Sequence, residues 1–223
     1  MYNEGQFKPT STADIIYGSN ESRLRIEDIV SGAQPLPFGG KSGVLLYGAY
    51  GTGKTTLANI LPNAIEVGTT GQAQALPEYY IGCRQGLNGV QVSQTIDKIL
   101  ATQPLNASGK HYIIIDEVDV LTQQAQESLK SSLNTTRGVF VLTTNSVSKL
   151  DKGLLDRCVL VEMNAADPEA YLPLAHKITA DHEVVLNDEE LIQIIKGANG
   201  SLRNVINNIS RQARRTKQSQ PTF

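Results

Sequence analysis

Gly48, Gly53, Lys54 and Thr55 occupy the four fixed places of G-x-x-x-x-G-K-[ST] within GVLLYGAYGTGKTT at 43–56. The spacing suits an anion. Gly48, Gly51 and Gly53 let the backbone curl through Ala49, Tyr50 and Thr52 so that successive N–H groups point inward, a path that residues with a Cβ resist. Lys54 adds charge for β- and γ-phosphates, and Thr55 offers a hydroxyl to Mg²⁺. Thr56 lies where a helix presents its positive end. A second group of residues, Asp116, Glu117 and Asp119 in HYIIIDEVDVL, closes an apolar run. Asp116 is placed to hold Mg²⁺ directly or through water, and Glu117 to act as general base on an attacking water. A nucleoside triphosphate with Mg²⁺ is the ligand this chemistry implies.

These residues need a scaffold that brings strand ends together. Val44–Tyr47, Tyr112–Ile115, Val139–Thr143 and Val159–Val161 are short, continuous apolar runs, as expected of strands covered on both faces, and Glu78–Cys83 reads as a further strand. Helical spacing recurs over 21–31, 89–101 and from Thr122, a cap for a stripe of Ala125, Leu129 and Leu133. The helix after Lys54 is expected to be short and to stop near Pro62, with 66–77 as loop. Alternating strands and helices predict an α/β fold, a parallel sheet sandwiched by helices, with ligand groups at strand C-terminal ends.

From Ala166 the pattern is helical only. Asp167-Pro168 suits a helix start, Asn187 with Glu190 a capping box, and Ser201 the start of a last helix with Leu202, Val205, Ile206 and Ile209 inward. The expected division is a nucleotide-binding α/β domain at 1–165, a small all-helical lid domain at 166–215 hinged near Asn164–Asp167, and a disordered tail at 216–223.

Over 223 residues, 40% hydrophobic and 19% charged residues fit a globular protein with one core or a core plus a satellite. No apolar stretch reaches the roughly 20 residues of a membrane span, and MYNEGQFKPTST does not read as a signal peptide. The expectation is a reducing, intracellular location, cytoplasmic or, in a eukaryote, nuclear, with no membrane partner. Cys83 and Cys158 read as small buried residues, and His111, His176 and His182 stand apart, so no transition metal is assigned. Net charge is −2, yet residues 201–223 carry +5 and the remainder −7. That end, with Arg84 in a Gly-rich loop, is a candidate contact for nucleic-acid phosphates.

In order along the chain, GAYGTGKT, DEVD at Asp116–Asp119, TTN at Thr143–Asn145, DRC at Asp156–Cys158 and GSLR at Gly200–Arg203 resemble the motifs of P-loop AAA+ ATPases. Their wording is most similar to the clamp-loader group, the replication factor C small subunits and their bacterial counterparts, over about residues 8–212. The resemblance implies that Ile15, Ile16, Tyr17 and Gly18 lie against adenine, that Asn145 is the sensor 1 residue orienting water, and that Arg203 is sensor 2. It also implies that Arg157 is an arginine finger acting in trans, in a homo- or hetero-oligomer. Residue type alone would make Arg157 and Arg203 surface charges as readily. Ala49-Tyr50 stands where that group commonly has two prolines. Asp156 stands where it commonly has serine, and is expected to ion-pair with Arg157. The chain also stops where a collar domain would begin.

The function these readings favour is an ATP-hydrolysing, clamp-loader-like oligomer acting on DNA or a DNA-bound protein complex in replication or repair. The alternative is an ATP-gated scaffold that recruits a partner protein or nuclease, with hydrolysis serving disassembly. A small-molecule P-loop kinase would leave TTN and GSLR unexplained.

Overall fold

The computed structural model describes residues 7–75, 78–83 and 89–219. Five strands, β1 (Gly43–Tyr47), β2 (Tyr79–Gly82), β3 (His111–Asp116), β4 (Gly138–Thr144) and β5 (Cys158–Glu162), form one parallel sheet in the order β2-β3-β4-β1-β5. Because successive side chains alternate between faces, each central strand feeds two cores. Val44, Leu46, Ile114 and Val141 pack with α1 (Asn20–Ser31) and α2 (Lys54–Thr70), whereas Leu45, Ile113, Ile115 and Leu142 pack with α3 (Gly89–Ala101) and α4 (Gln123–Ser132). Burial on both faces is why these strands read as unbroken apolar runs. Cys83 and Cys158 belong to the second core, and burial pushes both thiols up to about 12.

Local signals set the helix ends. Ser19 and Thr122 accept the N–H groups of Ser22 and Ala125, and Gly32, at φ 78°, closes α1. Asp151 caps the short α5 (Lys152–Asp156) through the Leu154 N–H. The exposed edge of β5 is blocked by cations: Arg25 Nη1 donates to the Leu160 carbonyl at 2.7 Å, and Lys41 Nζ to those of Asp156 and Cys158 at 2.7 and 3.0 Å. Such capping removes the acceptors on which a foreign strand would pair.

Three expectations about α2 and the C-terminal end need correction. α2 does not stop at Pro62 but runs on to Thr70, so 66–70 is helix rather than loop. A proline inside a helix costs about 3 kcal/mol. Here Leu57, Ala58, Leu61 and Ile65 are 0–3% exposed on the same helix, and each large side chain buried contributes about 1.5–3 kcal/mol in return. The helix also presses so close to α1 that a Cβ at Gly68 would lie 2.0 Å from the Val30 carbonyl oxygen. Finally, Thr216–Ser219 is not a disordered tail but the last turn of a helix, where Lys217 pairs with Glu183. Residues 220–223 lie outside the described residues.

After β5 the chain builds its helices, α6 (Leu172–Asp181), α7 (Asp188–Lys196) and α8 (Leu202–Ser219), around a third apolar cluster of Tyr171, Ile178, Leu191, Val205 and Ile209. Asn187 and Glu190 form both bonds of the capping box, at 2.9 and 3.0 Å. Phe7 and Ile16, from the start of the chain, join this cluster and tie the helical layer to the segment ahead of α1.

Candidate functional site: the cleft over the P-loop

The loop joining β1 to α2 turns through three glycines at positive φ, Gly48 (144°), Gly51 (77°) and Gly53 (94°). At Gly51 the requirement is also spatial, since a Cβ would lie 2.3 Å from Ser201 Oγ, just ahead of α8. Thr52 Oγ1 closes the turn on the Ala49 carbonyl at 3.0 Å. Lys54 is 7% exposed and its Nζ donates to the carbonyls of Gly48 (3.0 Å) and Ala49 (2.6 Å), so it lies along the loop it serves. Burial lowers the Lys54 pKa, and Asp119, Asp116 and Glu117 pull against that fall.

Asp116, at the end of β3, is held by three hydroxyls. Thr143 Oγ1 donates to Oδ1 and Tyr80 OH to Oδ2, each at 2.5 Å, while Thr55 Oγ1 lies 3.1 and 3.3 Å from the two oxygens. Burial, then the carboxylate that it donates to, push the Tyr80 phenol well above its ordinary pKa and keep it a donor. Glu117 follows in the left-handed region at φ 61°, a conformation costing a non-glycine residue about 1–2 kcal/mol. Its N–H is fixed by Thr143 Oγ1 at 2.9 Å, and its side chain is exposed on the cleft wall. Asp119 Oδ1 accepts Thr144 Oγ1 at 2.8 Å and the Asn145 N–H at 3.2 Å, which sets the turn that carries Asn145.

A cleft of about 1020 Å³ unites most of the expected site. Tyr50, Gly51, Thr52, Gly53, Lys54, Thr55 and Thr56 line it with Glu117, Asn145 and Arg203, the last from the first turn of α8. Its apolar wall comes from Ile15, Ile16, Leu174 and Ile206. Gly48 and Ala49, in the same loop, are not among the residues that line the cleft, and Ala49 N–H reaches Asn164 Oδ1 at 3.4 Å. Of the four residues expected on the adenine side, Ile15 and Ile16 line the cleft, whereas Tyr17 and Gly18 are off its wall, which corrects their expected place. Tyr17 packs on the α1–α2 core with its hydroxyl on the Thr12 carbonyl (3.1 Å), and Gly18 is pressed against the carbonyls of Asn164 and Ala165. The segment Phe7–Thr10 lines the cleft instead.

Arg157 is not in this cleft. It directly precedes β5, and its carbonyl accepts the N–H groups of Ser42 and Gly43, at the start of β1. Gly43 pairs with Cys158 and Tyr47 with Glu162, so five residue steps, about 17 Å of strand, separate Arg157 along the sheet from the P-loop end. The expected ion pair with Asp156 is not among the salt bridges of the described residues. The guanidinium turns instead to Asn134 Oδ1 (2.8 Å) and the Gly153 carbonyl (2.8 Å), which its place at the end of α5 puts within reach. Arg84 lies outside the described residues.

The sequence reading passed over Tyr80, Thr143 and Asp119 as site groups. TTN and DEVD contain the last two, but that Thr143 serves both acids, and Asp119 the Asn145 turn, follows from β3 lying beside β4. Tyr80 carries no motif at all.

The family described as ATPase family associated with various cellular activities (AAA) matches residues 44–164, from β1 to the end of the α/β layer. The chain belongs to this family. Among AAA relatives, it is similar to replication factor C subunit 4 of Oryza sativa subsp. japonica, 30% identical over 92% of this chain and 58% of that protein. It is also similar to replication factor C small subunit 2 of Pyrobaculum islandicum, 27% identical over 91% of this chain and 60% of that one. The chain spans about three fifths of the length of these relatives. In fold it matches the Thermotoga maritima RuvB Holliday junction branch migration motor with a TM-score of 0.67 at 18% identity, covering 95% of this chain and 65% of that one. That AAA fold is the parallel sheet flanked by helices seen here. Among the described residues no helix is long and apolar enough to cross a membrane.

Proposed function

We propose that this chain binds ATP with Mg²⁺ in the cleft and hydrolyses it in a site completed by Arg157 of a neighbouring subunit. The observation that carries this reading is the position of Arg157, at the end of the sheet opposite the P-loop of its own chain. An arginine there serves a phosphoryl group only across an interface. Arginine fingers supplied this way contribute factors of about 10³–10⁵ to hydrolysis.

Within one subunit, the P-loop backbone and the start of α2 hold phosphate oxygens, and Lys54 swings its charge from the Gly48 and Ala49 carbonyls to them. Thr55 and Asp116 are oxygen donors in mutual contact, the donor type that suits Mg²⁺. The ion would neutralise phosphate charge there. Glu117 is the base that accepts a proton from the attacking water, Asn145 orients that water, and Arg203 reports the bound phosphate to α8. Domains at 1–165 and 166–215 are the natural division for such a lid, with Ser201 against Gly51 as the contact through which loop and lid feel one another.

The similarity to replication factor C subunits supports a clamp-loader-like role on DNA or a DNA-bound protein complex, in the cytoplasm or nucleus. The cationic residues of α8, Arg211 and Arg215 among them, are exposed and suit phosphate contact. The test is Arg157→Ala in the full chain. Nucleotide affinity is expected to stay within a factor of about two while hydrolysis falls about 10³-fold. Hydrolysis at the wild-type rate would overturn the trans assignment.

A further inference from the structure

Tyr80 stands in β2, the strand at the edge of the sheet next to β3, opposite Ile114, with Gly82 opposite Asp116. Side chains alternate along a strand, so Tyr80 shares a face with Ile114 and Asp116. Gly82 puts no side chain between them. The phenol ring crosses that gap: a Cβ at Gly82 would stand 3.5 Å from Tyr80 Cε1, and the hydroxyl ends 2.5 Å from Asp116 Oδ2. On the other oxygen, Oδ1, sits Thr143 of the central strand β4. The Thr55 hydroxyl faces the edge between the two oxygens, 3.1 and 3.3 Å away.

An aspartate carboxylate rotates broadly about its last torsion unless something stops it. One anchor fixes one oxygen; two anchors on opposite oxygens fix the plane. We propose that Tyr80 is a positioning residue for the divalent cation, clamping Asp116 against Thr143 so that the carboxylate presents its shared edge to Thr55. The inference rests on the reading that the cleft holds a nucleotide with its metal. It also means that the metal-holding acid is set partly from an edge strand that pairs, among the described residues, with β3 alone. A displacement of β2 by anything docking on that edge therefore reaches Asp116 through one hydroxyl.

The test uses the full chain with ADP and Mn²⁺ as a paramagnetic probe of the cation, free Mn²⁺ being read by electron paramagnetic resonance. Tyr80→Phe keeps the ring and removes the clamp. Outer-shell partners of metal ligands typically contribute 10–100-fold to metal affinity, so Mn²⁺ binding to the ADP complex is expected to weaken about tenfold. ADP affinity without metal and thermal midpoint should stay unchanged, and kcat should recover at high Mg²⁺. Gly82→Val, whose methyl groups extend beyond a Cβ position already 3.5 Å from the ring and are expected to crowd it away from Asp116 with the hydroxyl retained, should give the same metal defect.

Unchanged or tighter Mn²⁺ binding in Tyr80→Phe, with Thr55→Ala weakening it, overturns the clamp and leaves the nucleotide site standing. Failure of the wild-type chain to bind ADP overturns the nucleotide site itself. A defect in Tyr80→Phe that tracks a lowered thermal midpoint, with no separate loss of metal affinity, makes the hydroxyl structural and also overturns the clamp.

Discussion

At the C-terminal end of the sheet, Asp116 is pinned by Thr55, Thr143 and Tyr80, and Asp119 by Thr144 and a backbone N–H; at the other end Arg157 is held by an amide oxygen and a carbonyl. Hydroxyl donors stabilise a carboxylate and fix its plane, which suits a group that must meet a metal at set geometry. Neutral acceptors orient a guanidinium and leave its charge uncancelled, which suits a group that must attract a phosphate from elsewhere. On the proposed function, the first end would receive the nucleotide and the second would be offered to the site of a neighbouring subunit.

The strongest way to break this comparison is to separate the two ends genetically. Lys54→Ala and Arg157→Ala are each expected to lower steady-state hydrolysis about 10³-fold, the first through its own cradle and the second through its neighbour's. Mixed in equal amounts they should regain about a quarter of the wild-type rate, because random pairing gives that share of intact interfaces in a symmetric assembly. No recovery on mixing would mean that Arg157 does not act across an interface.

A smaller effect sharpens the receiving end. Asp119→Asn keeps the size of the side chain and removes the charge that holds the Thr144 hydroxyl and the Asn145 N–H. The expected outcome is a kcat lower by about tenfold with ADP affinity unchanged, the signature of an interaction made in the transition state. Loss of ADP affinity in parallel would instead make Asp119 part of the binding surface, through its charge on Lys54.

An effect on stability rather than on turnover concerns an acid pinned in the same style but away from the cleft. Glu66, fully buried in α2, accepts the Ser108 N–H, the Ser108 hydroxyl and the Tyr112 hydroxyl at 2.6–2.8 Å. Burial raises its pKa, but the Ser108 and Tyr112 donors and Lys110 outweigh it and bring the value below the ordinary 4.5. A lowered folded pKa contributes stability that is full above 4.5 and is lost as pH falls through the folded value. Glu66→Gln should therefore cost about 1–3 kcal/mol in denaturant unfolding at neutral pH, with the gap to wild type closing below pH 4.5 and no change in nucleotide-linked Mn²⁺ binding. A gap that persists in acid would trace the loss to packing rather than to the carboxylate.

Much of the fold was legible because the central strands, buried on both faces, leave unbroken apolar runs, and because caps such as Thr122 and Asn187 have fixed chemistry. Pro62 misled for a physical reason: a local breaker signal lost to an apolar helix face that only the packed sheet supplies. In the cleft, the places of Lys54, Thr55 and Glu117 were readable from motif spacing, which encodes their distance from strand ends, whereas Asn145 was named through the family resemblance. Tyr17 and Gly18 were placed by analogy; Tyr17 is drawn off the cleft by the α1–α2 core and Gly18 by the backbone at Asn164 and Ala165.

By itself, then, the sequence determined the phosphate loop, the acids at a strand end and the alternation of strands and helices, since each depends on residues a few places apart. Tertiary structure decided which hydroxyls meet which acids, because Thr143, Tyr80 and Thr55 reach Asp116 from three different elements across the strand order β2-β3-β4 and the start of α2. It also decided that Arg157 faces away from the cleft, since only the parallel register of β1 and β5 fixes which end of the sheet each residue occupies.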